Sequence, residues 1–229
     1  MPSVHRFETG EERVAAIVES VSARLRAAVQ ARGLASLIVS GGSTPRPVFA
    51  ALAGTPLAWE KVHITLGDER WVAPADQDSN EHLLRETLLR GAAAAARFIP
   101  LKNTAADAAT GALATDQALA DFPWPADVLM LGMGDDGHTA SLFPRAPELE
   151  AALYTDQRCL AVTPPAAPHQ RLSLSARTLL DSHAIIIDIT GAAKWATYQR
   201  AAAGGAVEEM PVRLILQQQS VPVHVYWSP

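Results

Sequence analysis

Cysteine is almost missing from this 229-residue sequence: Cys159 stands alone. That excludes an internal disulfide and any metal site built from several cysteines. Its setting in Cys159-Leu-Ala-Val162 reads as a buried strand thiol with no chemistry of its own. No apolar run approaches the roughly eighteen residues that a membrane-spanning helix needs. The opening Met1-Pro-Ser-Val-His-Arg-Phe7 lacks the apolar core of a signal peptide, so the expected compartment is the cytoplasm. Basic charge is also scarce. With 19 Lys and Arg against 24 Asp and Glu, the net charge of -5 gives no electrostatic reason to expect nucleic acid or an anionic membrane as partner. An anionic ligand would need local positive charge, and lysine occurs only at 61, 102 and 194. Also absent are a Gly-Lys-Ser/Thr phosphate loop, the G-x-S-x-G elbow of serine hydrolases, internal repeats and coiled-coil heptads.

What is present is enough for a sizeable core. At 48% hydrophobic and 19% charged, residues 1–229 read as a single α/β domain, with or without a small subdomain. Thr9 and Glu12 form a capping box, and Val14, Ile17, Val18, Val21, Leu25 and Val29 recur at helical spacing until Gly33 offers a C-cap. Short apolar strands are expected at 36–40, 62–66, 98–101, 128–131, 159–162, 184–189 and 222–227, with a half-exposed one at 171–176. Helices are expected at 79–90 and 104–119, after Gly191, and as a short turn at 139–143 that would set His138 near its positive end.

The densest chemistry follows the apolar run Val128–Leu131. Gly132, Gly134 and Gly137 fall within six residues, with Asp135 and Asp136 between the last two and His138 directly after them. Open α/β sheets bind ligands outside the carboxyl ends of their strands, which is where this cluster belongs. The glycines also satisfy a G-x-G-x-x-G dinucleotide pattern, with Asp156 near the distance of a ribose-binding acid. Adjacent carboxylates would repel a pyrophosphate there, and the motif lies mid-chain rather than after the first strand. The remaining alternative is a tight turn with a structural histidine.

Other strand ends carry matching signals. Gly41-Gly42-Ser43-Thr44-Pro45 combines glycines for close approach, a hydroxyl N-cap at Ser43 or Thr44, and Pro45 for the first helical position. It is either a phosphate-holding helix start or a plain capped turn. Asp68-Glu69-Arg70-Trp71-Val72 crowds three charges at a strand end beside two apolar residues, an odd composition for a solvated loop. Asn80 either caps the next helix or faces a ligand. Lys194 alone among the lysines follows a strand-glycine turn, from which a point charge reaches phosphate.

Taken together, Ser40-Gly-Gly-Ser-Thr-Pro45, Asp68-Glu-Arg-Trp-Val72, Leu131-Gly-Met-Gly-Asp-Asp-Gly-His-Thr-Ala-Ser-Leu-Phe-Pro144, Arg171-Leu-Ser-Leu174 and Gly191-Ala-Ala-Lys194 resemble the 6-phosphogluconolactonase family over nearly the whole chain. The resemblance implies a Rossmann-like three-layer α/β/α sandwich with a mostly parallel sheet, shared with the glucosamine-6-phosphate deaminases. It implies hydrolysis of 6-phosphoglucono-δ-lactone in the pentose phosphate pathway, with no metal and no redox cofactor. It makes His138 the proton-transfer residue, puts Asp68 and Arg70 by the lactone, and assigns phosphate to Gly42, Ser43, Thr44, Arg171 and Lys194. Arg145 departs from the family, which often has glycine after Ser-Leu-Phe-Pro.

The residue types fit that chemistry. Lactone hydrolysis needs a base for water, donors for the oxyanion and an acid for the departing ring oxygen. His138 can serve as base and then acid, oriented by Asp68 or Asp135, while Arg70 or turn amides hold the oxyanion. The expected partner is a small phosphosugar lactone, with the protein a monomer or weak homo-oligomer. Two other functions stay open. A deaminase-isomerase of amino-sugar phosphates shares several motifs, although Asp68-Glu-Arg-Trp-Val72 stands where it would carry Asp-Glu-Tyr. A non-catalytic phosphosugar sensor would need a basic DNA-binding segment, for which neither terminus has room.

Overall fold

The computed structural model describes all 229 residues. Ten strands form at Ser3–Arg6 (β1), Ala35–Val39 (β2), Val62–Leu66 (β3), Asp68–Arg70 (β4), Arg97–Ile99 (β5), Val128–Leu131 (β6), Cys159–Val162 (β7), Arg171–Leu174 (β8), Ile185–Thr190 (β9) and Val223–Ser228 (β10). Eight α-helices form at Gly10–Arg32 (α1), Arg46–Ala53 (α2), Asn80–Thr87 (α3), Ala108–Ala118 (α4), Leu149–Tyr154 (α5), Ala176–Leu180 (α6), Gly191–Ala202 (α7) and Arg213–Gln217 (α8).

Seven strands make one parallel sheet in the order β1-β10-β9-β6-β2-β3-β5. Helices flank it, giving the expected three-layer sandwich. Its central strands are continuous apolar runs because both faces are covered: every residue of β2 and β6 is buried, as are Ile185, Ile186 and Ile187 of β9. Fully burying one such side chain is worth about 1.5–3 kcal/mol. α1 packs against β2, β6 and β10. The capping box at Thr9 and Glu12 starts it, and Gly33 at φ 78° ends it in the left-handed conformation, both as expected. No helix is long and apolar enough to cross a membrane.

The chain leaves β2 for β3 on one side and returns in β6 on the other, so β2–β6 is the point where strand order reverses and a crevice opens. A second, antiparallel sheet of β4, β8 and β7 sits beside the first. Gly67 joins the two: its amide bonds Val39 O at 2.8 Å, and its carbonyl accepts from the Leu174 amide at 2.9 Å. This small sheet corrects one expectation: β8 is buried at all four residues rather than half-exposed, because α4 covers it, while Asp68–Arg70 forms its edge strand.

Two further local expectations fail. No hydroxyl caps α2; Pro45 is its N-cap residue and the helix begins at Arg46. Residues 139–143 form a tight turn bridged between Thr139 and Leu142, so no helix start lies beside His138. Cys159 is buried as expected, and burial, then the nearby Asp116 charge, pushes its thiol up to about 12.

Candidate active site

The crevice at the strand-order reversal is a cleft of about 250 Å³. Four strand ends wall it: Ser40 to Pro45 after β2, Asp68 and Arg70 with Asn80 beyond β3, Gly132 to Gly134 with His138 after β6, and Asp188, Ile189 and Lys194 from β9 and α7. Sequence segments separated by about a hundred residues thus meet because parallel strands deliver all their carboxyl ends to one edge.

His138 is held by one ring nitrogen. Its Nδ1 lies 2.6 Å from Asp136 Oδ1, which also accepts from the His138 amide at 3.0 Å. The ring packs on Phe143 with centroids 4.4 Å apart, and its Nε2 has no protein partner. Burial opposes the charge on Asp136, but the bonds and charge of His138 outweigh it and hold the carboxyl down at about 2. Gly134 makes this fit possible: a Cβ there would stand 2.0 Å from His138 Nδ1 and 2.6 Å from Asp136 Oδ1. Neither expected orienting acid does this work. Asp68 Oδ2 accepts from Ser141 Oγ at 2.6 Å, and Asp135 pairs with Lys194 at 3.0 Å outside the cleft wall. The tight turn at Gly137, φ 82°, folds Asp136 back on His138 two residues later. The glycine-rich sequence allowed a tight turn here but did not single out Asp136 as the partner of His138.

The β2–α2 loop offers donors. Gly42 takes φ 111°, Ser43 and Thr44 place hydroxyls on the cleft wall, and Ser40 Oγ is buried there without a partner. Lys194 shares that wall, while Arg171 does not. Arg171 sits on β8 paired in register with Arg70, buried with its Nε unpartnered. Burial, followed by the Arg70 charge, lowers its pKa. Arg70 Nη1 donates to the Asp78 carbonyl at 2.5 Å, aligning the guanidinium along the rim.

Asn80 is neither cap nor free wall. Ser79 caps α3, and Asn80 Nδ2 donates to Asp68 O at 2.8 Å, fastening the helix to β4. Glu69 secures the same joint: its carboxylate, 1% exposed, accepts from the amides of Arg70, Asn80 and Glu81 and from Ser79 Oγ. Burial raises its pKa despite those bonds. Asp188 also lines the cleft and escaped the sequence reading, though a lone acid inside Ile185-Ile-Ile-Asp-Ile189 was a visible sign. The glycine turn is not a dinucleotide site, since no helix starts after Gly137 to receive a pyrophosphate.

The cleft therefore offers a dyad with a free imidazole nitrogen, a guanidinium, and a separate group of hydroxyls and an ammonium. A 6-phosphogluconolactonase of Pseudomonas putida is 46% identical over 99% of this chain and 93% of its own length, and that of Rhizobium meliloti is 40% identical over 99% of both. The crystal structure of a 6-phosphogluconolactonase from Shewanella baltica superposes with a TM-score of 0.99 at 42% identity, covering 100% of this chain and 98% of that one. The model of the family described as glucosamine-6-phosphate isomerases/6-phosphogluconolactonase matches residues 8–227, and this chain belongs to that family.

Proposed function

We propose that this protein hydrolyses 6-phospho-D-glucono-1,5-lactone to 6-phospho-D-gluconate, acting in the cytoplasm as one catalytic unit over residues 1–229. The observation that carries the mechanism is the Asp136–His138 contact of 2.6 Å beside a partner-free Nε2 in the cleft. Asp136 fixes the tautomer with the proton on Nδ1 and stabilises the imidazolium that forms later. Nε2 takes a proton from water as the water oxygen bonds to C1. The carbonyl oxygen becomes an oxyanion, for which Arg70 and the amides of the glycine turn are the available donors. Collapse breaks the bond from C1 to the ring oxygen, which leaves with the proton from His138. The net change is addition of one water across the ester bond. Asp68, tied to Ser141, shapes the lactone side of the cleft.

The phosphate is assigned to Gly42, Ser43, Thr44 and Lys194, with Arg171 adding charge from behind Arg70. Lys194 must then exchange Asp135 for the phosphate; since Asp135 is 78% exposed, that ion pair costs little to break. The test is a comparison of substrates. The purified protein should hydrolyse the phosphorylated lactone well above its spontaneous opening, without added metal or NAD(P), and release no ammonia from glucosamine 6-phosphate. Lys194→Ala should cost about tenfold or more in kcat/KM on the phosphorylated lactone and little on plain gluconolactone. Equal losses on both substrates would remove Lys194 from the phosphate site, and ammonia release would favour a deaminase.

A further inference from the structure

The turn that carries His138 has a second tether, three residues after the histidine. Ser141 is fully buried; its Oγ–H donates to Asp68 Oδ2 at 2.6 Å, and its amide donates to Ser173 Oγ at 3.2 Å. Ser173 is the register partner of Asp68 across β4 and β8, so the turn docks on the small sheet at the very pair that contains Asp68. The other end of the turn is fixed too: Thr139 Oγ1 donates to Gly132 O at 2.9 Å, and the Leu142 amide bonds Thr139 O at 3.0 Å. Between these anchors Ala140, on the cleft wall, takes φ 48°, a left-handed conformation that alanine holds only under constraint. That constraint is what brings the Ser141 hydroxyl to Asp68.

The arrangement sets the direction of one carboxylate. Asp68 is 7% exposed and lines the cleft, and its backbone is already held by β8 and by Asn80 Nδ2, which donates to Asp68 O at 2.8 Å. What remains free is the side chain, and Ser141 fixes it through a short, charge-assisted bond to Oδ2. Oδ1 has no protein donor and stays open to the cleft. An ionised carboxylate only accepts hydrogen bonds, so this oxygen calls for a donor on the substrate. On a phosphorylated sugar lactone the phosphate is repelled by it and the ester oxygens carry no proton, which leaves the ring hydroxyls.

The hydroxyl on C2 is the one next to C1, the atom that His138 Nε2 must face, and Asp68 is joined to His138 by one hydrogen bond and a three-residue step along the turn. We propose that Ser141 is a positioning residue: it aims Asp68 Oδ1 at the C2 hydroxyl of the substrate, and this contact selects lactones that carry a hydroxyl beside the carbonyl. No covalent bond changes in the contact, and the proton carrier remains His138. The proposal rests on the reading of the cleft as a phosphosugar lactonase site.

The test compares 6-phosphogluconolactone with its 2-deoxy analogue as substrates of the full chain, each read above its spontaneous opening. Wild type should handle the 2-deoxy lactone with kcat/KM lower by about tenfold or more, because Asp68 is then left without its donor. Ser141→Ala removes one hydroxyl from a site that otherwise keeps its shape. It should lose about tenfold in kcat/KM on the hydroxylated lactone and less than about twofold on the 2-deoxy analogue. Asp68→Asn should show the same dependence on the substrate, and adding Ser141→Ala to it should cost little more, since the serine acts through the aspartate. A serine with a purely structural role would lower both substrates alike and add its loss to that of Asp68→Asn, and either result overturns the proposal. So does a wild type that hydrolyses both lactones equally well, a measurement that requires no variant to fold. A wild type that hydrolyses neither lactone defeats the phosphosugar reading itself, and this proposal with it.

Discussion

His138 spends one nitrogen on Asp136 and leaves the other without a protein partner, and on the proposed mechanism the two residues act as one. General acid-base catalysis by a single group contributes about 10²–10⁴-fold, so His138→Asn should lose that much in kcat with native circular dichroism retained. Asp136→Asn should lose less, and the double variant should be little worse than His138→Asn alone, because members of a unit are non-additive. Additive losses would mean that Asp136 does not act through the histidine. Since His138 holds the Asp136 carboxyl down at about 2, Asp136 stays ionised throughout the working range and adds no inflection to the kcat/KM profile above about pH 4. A different residue-scale cost is stored at Arg145, whose φ of 64° is in the left-handed region. Such a conformation costs an L-residue about 1–2 kcal/mol, part of which glycine gives back in chain entropy. Arg145→Gly should therefore stabilise the fold by up to about 1 kcal/mol, read as a slightly higher urea midpoint. A loss of stability would show that its side chain contributes more than its backbone costs.

The elements show where local rules held and where packing overrode them. The capping box and glycine C-cap of α1 are contacts among neighbours in sequence, and they formed where expected. In α4, Gly111 reads as a weak helix residue, but it is the site where Trp71 lies on the helix: a Cβ there would stand 2.2 Å from the ring. Lys102 Nζ covers the same ring 4.1 Å from its centroid. Trp71 directly follows Arg70, so this packing locks the small sheet and the cleft rim to α4. Gly111→Ala should gain about 1 kcal/mol in helix propensity and lose about 1–3 kcal/mol to overpacking. The expected net result is a lower urea midpoint together with a raised KM from the displaced rim. An alanine variant more stable than wild type would show that the ring moves aside freely.

For the molecule as a whole, the buried Arg13–Asp188 pair ties α1 to β9 and makes stability depend on pH. The Asp188 carboxyl is pushed up to about 7 in the fold by burial, which outweighs Arg13, against about 3.9 in an unfolded chain. Between those values the folded protein keeps a proton that the unfolded chain has lost. This group's contribution therefore falls as pH rises from about 4 to about 7, and is level above that. Urea unfolding across that interval should show the decline in the wild type and a flatter curve in Arg13→Met/Asp188→Asn. An equal slope in both would assign the pH dependence to other groups.

What this sequence determined by itself was whatever depends on neighbours along the chain. Apolar runs such as Val128–Leu131 marked strands covered on both faces, Thr9 and Gly33 marked the ends of α1, and glycine-rich turns at strand ends marked the cleft. The motifs then implied the family and its fold. Which side chains face one another was decided only in three dimensions. Strand order brought Ser43, Asp68, His138 and Lys194 around one cleft and left Arg171 behind Arg70 and Asp135 outside the wall. The choice of Asp136 over Asp68 came from a turn geometry, and Asp188 was concealed among isoleucines. The physical reason is range. Periodicity and capping are energies between residues a few positions apart, whereas a cleft is made by strand register and burial summed over the whole sheet, which no short stretch of sequence contains.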